Sequence, residues 1–189
     1  MALRMCLDGL AAPAAVVSIN GALLPLDGLA GQFFSPVAKL MAAAPFVPRL
    51  FAWRANDPSV LERLIAGTGS VLDPTGLALY GRLIRSPGHA AGALAMMAEW
   101  DLPSLARDLA GLQTPVSLAV GSNDRAIPPS QAQRVLALLP AHPGTHVTTL
   151  AGLGHLAHEE RPDLVAQRVL QAANDAGLLP TAAQPFDVK

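Results

Sequence analysis

Thiols and charge are both scarce in this chain. A lone cysteine, Cys6, among 189 residues cannot close an internal disulfide. No charged stretch leads into an apolar run as a secretory signal requires, so a reducing cytoplasm is the compartment these absences leave. Charged residues make up 14% of the sequence, 13 basic against 14 acidic, for a formal net charge of −1. So even a balance leaves no electrostatic footprint for nucleic acid or an acidic membrane surface, and both partners are excluded. A membrane span is missing too. The mean hydropathy of +0.37 is high, and the uncharged run Gly9 to Leu26 approaches spanning length. It contains Pro13, Asn20, Gly21 and Pro25, however, which break a helix or leave polar groups that lipid cannot satisfy. A buried strand between two turns fits that run better.

The chain does hold ample apolar material, with 51% of residues hydrophobic, enough for one compact domain with a large core. Its 16 glycines and 17 prolines are scattered at the ends of elements rather than gathered into low-complexity tracts, and no internal repeat is visible.

Periodicity divides the chain into strands alternating with helices. Ala2 to Gly9 reads as the tail of a helix, with Leu3 and Leu7 on one face and Gly9 just past its end. Ala14 to Asn20, bounded by Pro13 and Gly21, is expected to be a strand covered on both faces. From Asp27 to Trp100 the pattern is helical, around Gly28–Ala43, Pro58–Ala66, Pro74–Ile84 and Pro87–Trp100, with proline and glycine between the pieces. Leu102 to Leu109 is a further helix. Pro115–Val120 is a second buried strand, Pro129–Leu139 a helix, and Thr145–Leu150 a third strand rich in β-branched residues. Arg161–Ala176 closes the pattern as an amphipathic helix with Leu164, Val165, Val169 and Leu170 inward. This order argues for βαβ units and a parallel sheet, with the helical stretch as an insertion.

Two loops carry the chemistry. Gly121-Ser-Asn-Asp124-Arg-Ala-Ile-Pro-Pro129 and Gly152-Leu-Gly-His155-Leu-Ala-His158-Glu-Glu-Arg-Pro162 each follow an apolar strand. In a parallel sheet, functional groups gather beyond the carboxyl ends of the strands, so the two loops place a carboxylate and an imidazole on one rim. A carboxylate bonded to imidazole Nδ1 fixes the tautomer and leaves Nε2 to move a proton to and from a hydroxyl.

This arrangement resembles the α/β-hydrolase superfamily, in which the acid follows a late strand, the histidine follows the last strand, and a helical cap precedes the acid. The resemblance covers essentially the whole chain. It implies Asp124 as the triad acid and His155 as the general base, with a core of residues 1–26 and 101–189 and a cap of residues 27–100. Gly67-Thr-Gly-Ser-Val-Leu-Asp73, Ser86-Pro-Gly-His-Ala-Ala-Gly-Ala-Leu-Ala-Met-Met-Ala-Glu-Trp-Asp101 and Ser18-Ile-Asn-Gly-Ala-Leu-Leu-Pro25 are similar to the magnesium-chelatase accessory proteins of bacteriochlorophyll biosynthesis. That likeness implies a role beside magnesium insertion into protoporphyrin, a photosynthetic function, with chelatase subunits as partners and a porphyrin or small apolar substrate as ligand. An ordinary esterase-like serine hydrolase and a non-catalytic module binding a porphyrin or a partner are the alternatives.

One part of the pattern is missing. No Gly-x-Ser-x-Gly occurs in the sequence, and the strand-turn-helix that carries such a serine in the superfamily would fall before Met1, together with both oxyanion donors. The expectation is therefore an N-terminally truncated hydrolase fold, incomplete as a catalyst. Cys6 lies within its helix, and Ser122 sits on the acid's own loop, so neither stands at the nucleophile's position.

Plainer readings exist for each group. Asp124 suits a turn residue capping the amides that follow it. His155 and His158 are three apart, unlike the His-Glu-x-x-His of a zinc helix, so no metal or cofactor is expected. Glu159 and Glu160 suit the first turn of the last helix. Leu94, Met96 and Met97 suit core packing as well as a pocket for a flat apolar ligand. His89 suits a solvated helix start, Cys6 a buried inert thiol, and Trp53 and Trp100 packing.

Overall fold

The computed structural model describes residues 1–25, 40–41, 44 and 46–179. A first helix, α1 (Ala2–Leu7), leads into strand β1 (Val16–Ile19). Among the described residues the next elements with given bounds are α2 (Val47–Arg54), α3 (Pro58–Gly67), α4 (Pro74–Ile84) and α5 (Pro87–Ala98). Then come α6 (Leu102–Asp108), the short 3-10 turn Leu109–Gly111, β2 (Val116–Gly121), α7 (Ser130–Leu138), β3 (His146–Leu150), α8 (Ala157–Glu160) and α9 (Pro162–Asp175). The helix expected over Gly28–Ala43 falls mostly outside the described residues.

Helices α3 to α6 start by one local device. Asp57, Asp73, Ser86 and Asp101 each accept a hydrogen bond from a backbone N–H of the first turn, and a proline occupies N1 or N2. The proline has no N–H to orphan and its fixed φ suits a helix start. The cap bond also has an electrostatic cost for protonation, since the hydrogen bonds from Ser59 hold the Asp57 carboxyl below its ordinary range.

The sheet is parallel, in the order β1-β2-β3, with Val16 opposite Val116 and Ser117 opposite His146. Alternation along β2 sends Leu118 to one face and Ala119 to the other. On the Leu118 side Leu3, Leu105, Leu109, Leu112 and Val135 close the main core, with Leu7 and Cys6 packed against it. On the opposite side Ala119 and Leu150 meet Ala157 and Val165. A third cluster, Ala55, Leu61, Ile65 and Ile84, belongs to the helices between β1 and β2. No helix among the described residues is long and apolar enough to cross a membrane.

Several expectations about packing need correction. β2 is buried almost throughout, but all four residues of β1 are only half-buried, because among the described residues β1 pairs with β2 alone. Trp53 is 66% exposed rather than a packing residue, while its neighbours Pro48, Ala52 and Ala55 turn inward. Val169 and Leu170 face solvent, leaving Val165 and Ala172 as the buried positions of α9. Met96 is exposed as well, so it is not a core residue. Glu159 and Glu160 belong to the separate helix α8, because Pro162 starts α9 afresh.

Candidate active site

The carboxyl ends of β2 and β3 open into two loops that bind each other. The N–H of Ser122 donates to the carbonyl of Leu150 (3.0 Å), that of Asn123 to Leu153 (2.9 Å), and that of Gly152 to the Ser122 hydroxyl (2.8 Å). Ser122 thus serves the loop as a turn serine. With the loops tied, Asp124 Oδ2 stands 2.9 Å from His155 Nδ1.

Asp124 makes hydrogen-bond contacts through both of its carboxylate oxygens. Its Oδ1 accepts from the N–H groups of Ala126 (2.8 Å) and Ile127 (2.9 Å), capping the turn, while Oδ2 faces the imidazole. All of these partners can donate, so the carboxylate accepts throughout and Nδ1 is the protonated ring nitrogen. The Asp124 side chain is 1% exposed against 31% for His155. The acid is therefore shielded and rigid, while the imidazole keeps a face toward the rim. This is the geometry in which a carboxylate orients a base and stabilises its charged form.

Three features of the rim escape sequence reading. The first is Asn20, buried at the end of β1 with φ 49°, a left-handed conformation that asparagine tolerates better than most residues. Its Nδ2 donates to the carbonyls of Gly154 (2.9 Å) and His155 (2.8 Å), and its Oδ1 accepts from the N–H of Gly121 (2.7 Å). One amide thereby joins all three strand ends. Its place between strand and Gly21 was the available signal.

The second is the α3–α4 loop, which runs between the Asp124 and His155 loops. The Thr68 carbonyl accepts from the N–H groups of both Arg125 (3.1 Å) and His155 (3.2 Å). Asn123 Nδ2 donates to the Gly69 carbonyl (2.6 Å), and the N–H of Leu156 donates to the Ser70 hydroxyl (2.8 Å). The approach depends on glycine. A Cβ at Gly154 would overlap the backbone of Gly69, and a Cβ at Gly69, where φ is +80°, would overlap the Asn123 carbonyl.

The third is Gln131. It is buried, and among the described residues neither its Nε2 nor its Oε1 has a hydrogen-bond partner. It lines a cavity of about 10 Å³ shared with Ser18, Leu118 and Asp124.

The remaining candidates take peripheral places. Cys6 is half-buried against the main core, away from the rim loops. His158 pairs with Glu159 at 3.7 Å on the exposed side of α8 and does not join Asp124 and His155. His89 is exposed in the first turn of α5, where its N–H is capped by Ser86. Tyr80 lies against the cluster that also contacts Leu156, and burial, aided by the charge of Glu159, pushes its phenol upward.

A parallel sheet with the acid after its second strand and the histidine after its third, both turned to one rim, defines a class, and a family model agrees. The chain belongs to the alpha/beta hydrolase family, whose model matches residues 1–168. Among curated proteins it is similar to the magnesium-chelatase 30 kDa subunit of Rhodobacter capsulatus, at 36% identity over 157 residues. That match covers 82% of this chain and 53% of the relative, so the chain spans about half the length of that curated relative. Among solved structures, an alpha/beta hydrolase fold protein from Burkholderia ambifaria superposes with a TM-score of 0.66 at 20% identity, covering 90% of this chain and 61% of that one. An esterase from Thermogutta terrifontis follows at a TM-score of 0.60 and 20% identity, covering 86% and 56%. Identities this low establish the shared fold alone.

Proposed function

We propose that this chain provides the acid–base part and the cap of an α/β-hydrolase-type accessory protein for magnesium insertion into protoporphyrin. The observation that carries this reading is the 36% identity to a magnesium-chelatase subunit, in a chain whose Asp124 and His155 stand 2.9 Å apart. Residues 27–100 act as the cap, and residues 1–26 with 101–189 as the core. Chelatase subunits are the partners, a porphyrin or small apolar compound is the ligand, and the cytoplasm is the compartment.

In this reading Asp124 holds the His155 ring through Nδ1–H, and Nε2 takes a proton from a hydroxyl and later returns it. Asp124 and His155 supply the general acid–base half of such a site. The test is magnesium insertion into protoporphyrin by chelatase subunits, with and without the added chain. A rise in product that needs the chain supports the reading; an unchanged rate together with no binding to any subunit overturns it.

The Asp124–His155 geometry favours a second reading, an esterase-like hydrolase of small substrates. Turnover of a nitrophenyl ester, abolished in His155→Ala, would support it. Protoporphyrin binding without turnover would instead mark a binding module.

A further inference from the structure

The backbone around His155 is held at every polar group for three residues, and one of those bonds is to a charge. The carbonyls of Gly154 and His155 accept from Asn20, the N–H of His155 donates to the Thr68 carbonyl, and that of Leu156 donates to the Ser70 hydroxyl. The remaining donor, the N–H of Gly154, meets Glu160 Oε1 at 2.7 Å. The second oxygen of the same carboxylate, Oε2, accepts from the N–H of Val71 at 3.3 Å. Glu160 therefore bridges the His155 loop and the α3–α4 loop.

From this bridge we infer that Glu160 is a positioning residue for His155, acting through Gly154 and tying the imidazole's placement to the Thr68–Val71 segment. A carboxylate gives stronger bonds to N–H donors than a neutral acceptor does. It is also an acceptor at both oxygens, which is what two facing N–H groups require. Glu160 stands in α8, and its bond to Gly154 reaches back to the residues before that helix; its bond to Val71 crosses to the α3–α4 loop, which the plain role of a helix-start carboxylate does not account for. Small displacements matter here, because proton transfer through Nε2 depends on where the ring sits. Calling His155 a base rests on the function proposed above; the coupling itself rests only on these bonds.

The test is NMR of the full chain, which reads the coupling whether or not the protein has hydrolase or chelatase activity. Three signals are followed: the His155 Nδ1–H resonance, the His155 ring titration, and amide exchange at Val71 and Gly154 to Leu156. In Glu160→Ala, exchange at Gly154 and Val71 should rise at least tenfold, and the His155 Nδ1–H signal should shift or broaden. Glu160→Gln separates the two bonds. Its Oε1 can keep one N–H, but its NH₂ then faces the other donor, so Gly154 and Val71 should no longer be protected together. Glu159→Gln, whose carboxylate faces His158 instead, should change neither amide. Unchanged His155 resonances and titration in Glu160→Ala, with faster exchange confined to Gly154 and Val71, would overturn the proposal and leave Glu160 as a local loop brace. Should Glu160→Ala not fold, the Gln variant decides: unchanged His155 signals overturn the proposal, and shifted ones uphold it. Loss of accessory or esterase activity without these spectral changes would also overturn the coupling, while leaving the proposed function's acid–base step untouched.

Discussion

The two ends of the helical segment between β1 and β2 are held in opposite ways. At the rim, Thr68 to Val71 is threaded between the Asp124 and His155 loops by backbone hydrogen bonds and by the fit of Gly69 against Gly154. At the far end, α2 turns Leu50 and Trp53 outward, next to an exposed Phe46, and packs through smaller inward residues onto α5. The rim end is specified by polar geometry that tolerates almost no change of shape. The outer end, among the described residues, is specified by apolar packing toward α5. Position relative to Asp124 and His155 is thus set where the chain has least freedom, and sequence change should be best tolerated where it has most.

The largest break in this contrast should come from Gly154→Ala. Its Cβ would occupy the Gly69 backbone, which cannot move aside as a flexible side chain can. A loss of more than about 3 kcal/mol is expected in urea unfolding. A near-neutral result would show that the α3–α4 loop does not pack against Gly154.

Asn20→Ala comes next. It removes one buried amide serving Gly121, Gly154 and His155 and places alanine at a positive φ. About 2–4 kcal/mol should be lost, since each buried partner left unsatisfied costs roughly 1–3 kcal/mol. Asn20→Gly sharpens the point: glycine relieves the backbone strain, so any loss that remains belongs to the hydrogen bonds.

Gln131→Met should work in the other direction. It replaces a buried amide without partners by an apolar chain of similar size, and a gain of about 1 kcal/mol follows from removing that desolvation penalty. Thermal unfolding with a lowered midpoint would mean instead that ordered water satisfies Gln131 beside Asp124.

The smallest effect on stability should come from Trp53→Ser on the outer helix, within about 0.5 kcal/mol, because an exposed side chain gives up little on replacement. Its consequence should be seen in solution behaviour, as weaker binding of a hydrophobic dye. Strong destabilisation would mean that α2 is held from a side other than α5.

Much of the architecture could be read from local pattern. The apolar runs before Gly121 and Gly152 gave the strands, and the loops after them put Asp124 and His155 on one rim. The prolines read as punctuation between the helical pieces, Pro58, Pro74 and Pro87, fall at helix starts, where Asp57, Asp73 and Ser86 supply the caps. Such signals are legible because a cap or an alternation is completed within a few residues. Burial was less so: Val169 and Leu170 have the spacing of an inward stripe yet face out, because α9 covers the sheet along a narrower line than its apolar content allows.

By itself, then, the sequence determined the alternation of strands and helices and the two strand-end loops, because strands and caps are short-range consequences of residue type. Only the tertiary structure decided that Thr68, Ser70, Asn20 and Glu160 converge on the backbone of His155. Those contacts join segments up to 135 residues apart, and no local preference records which distant donor will find which acceptor once the chain closes.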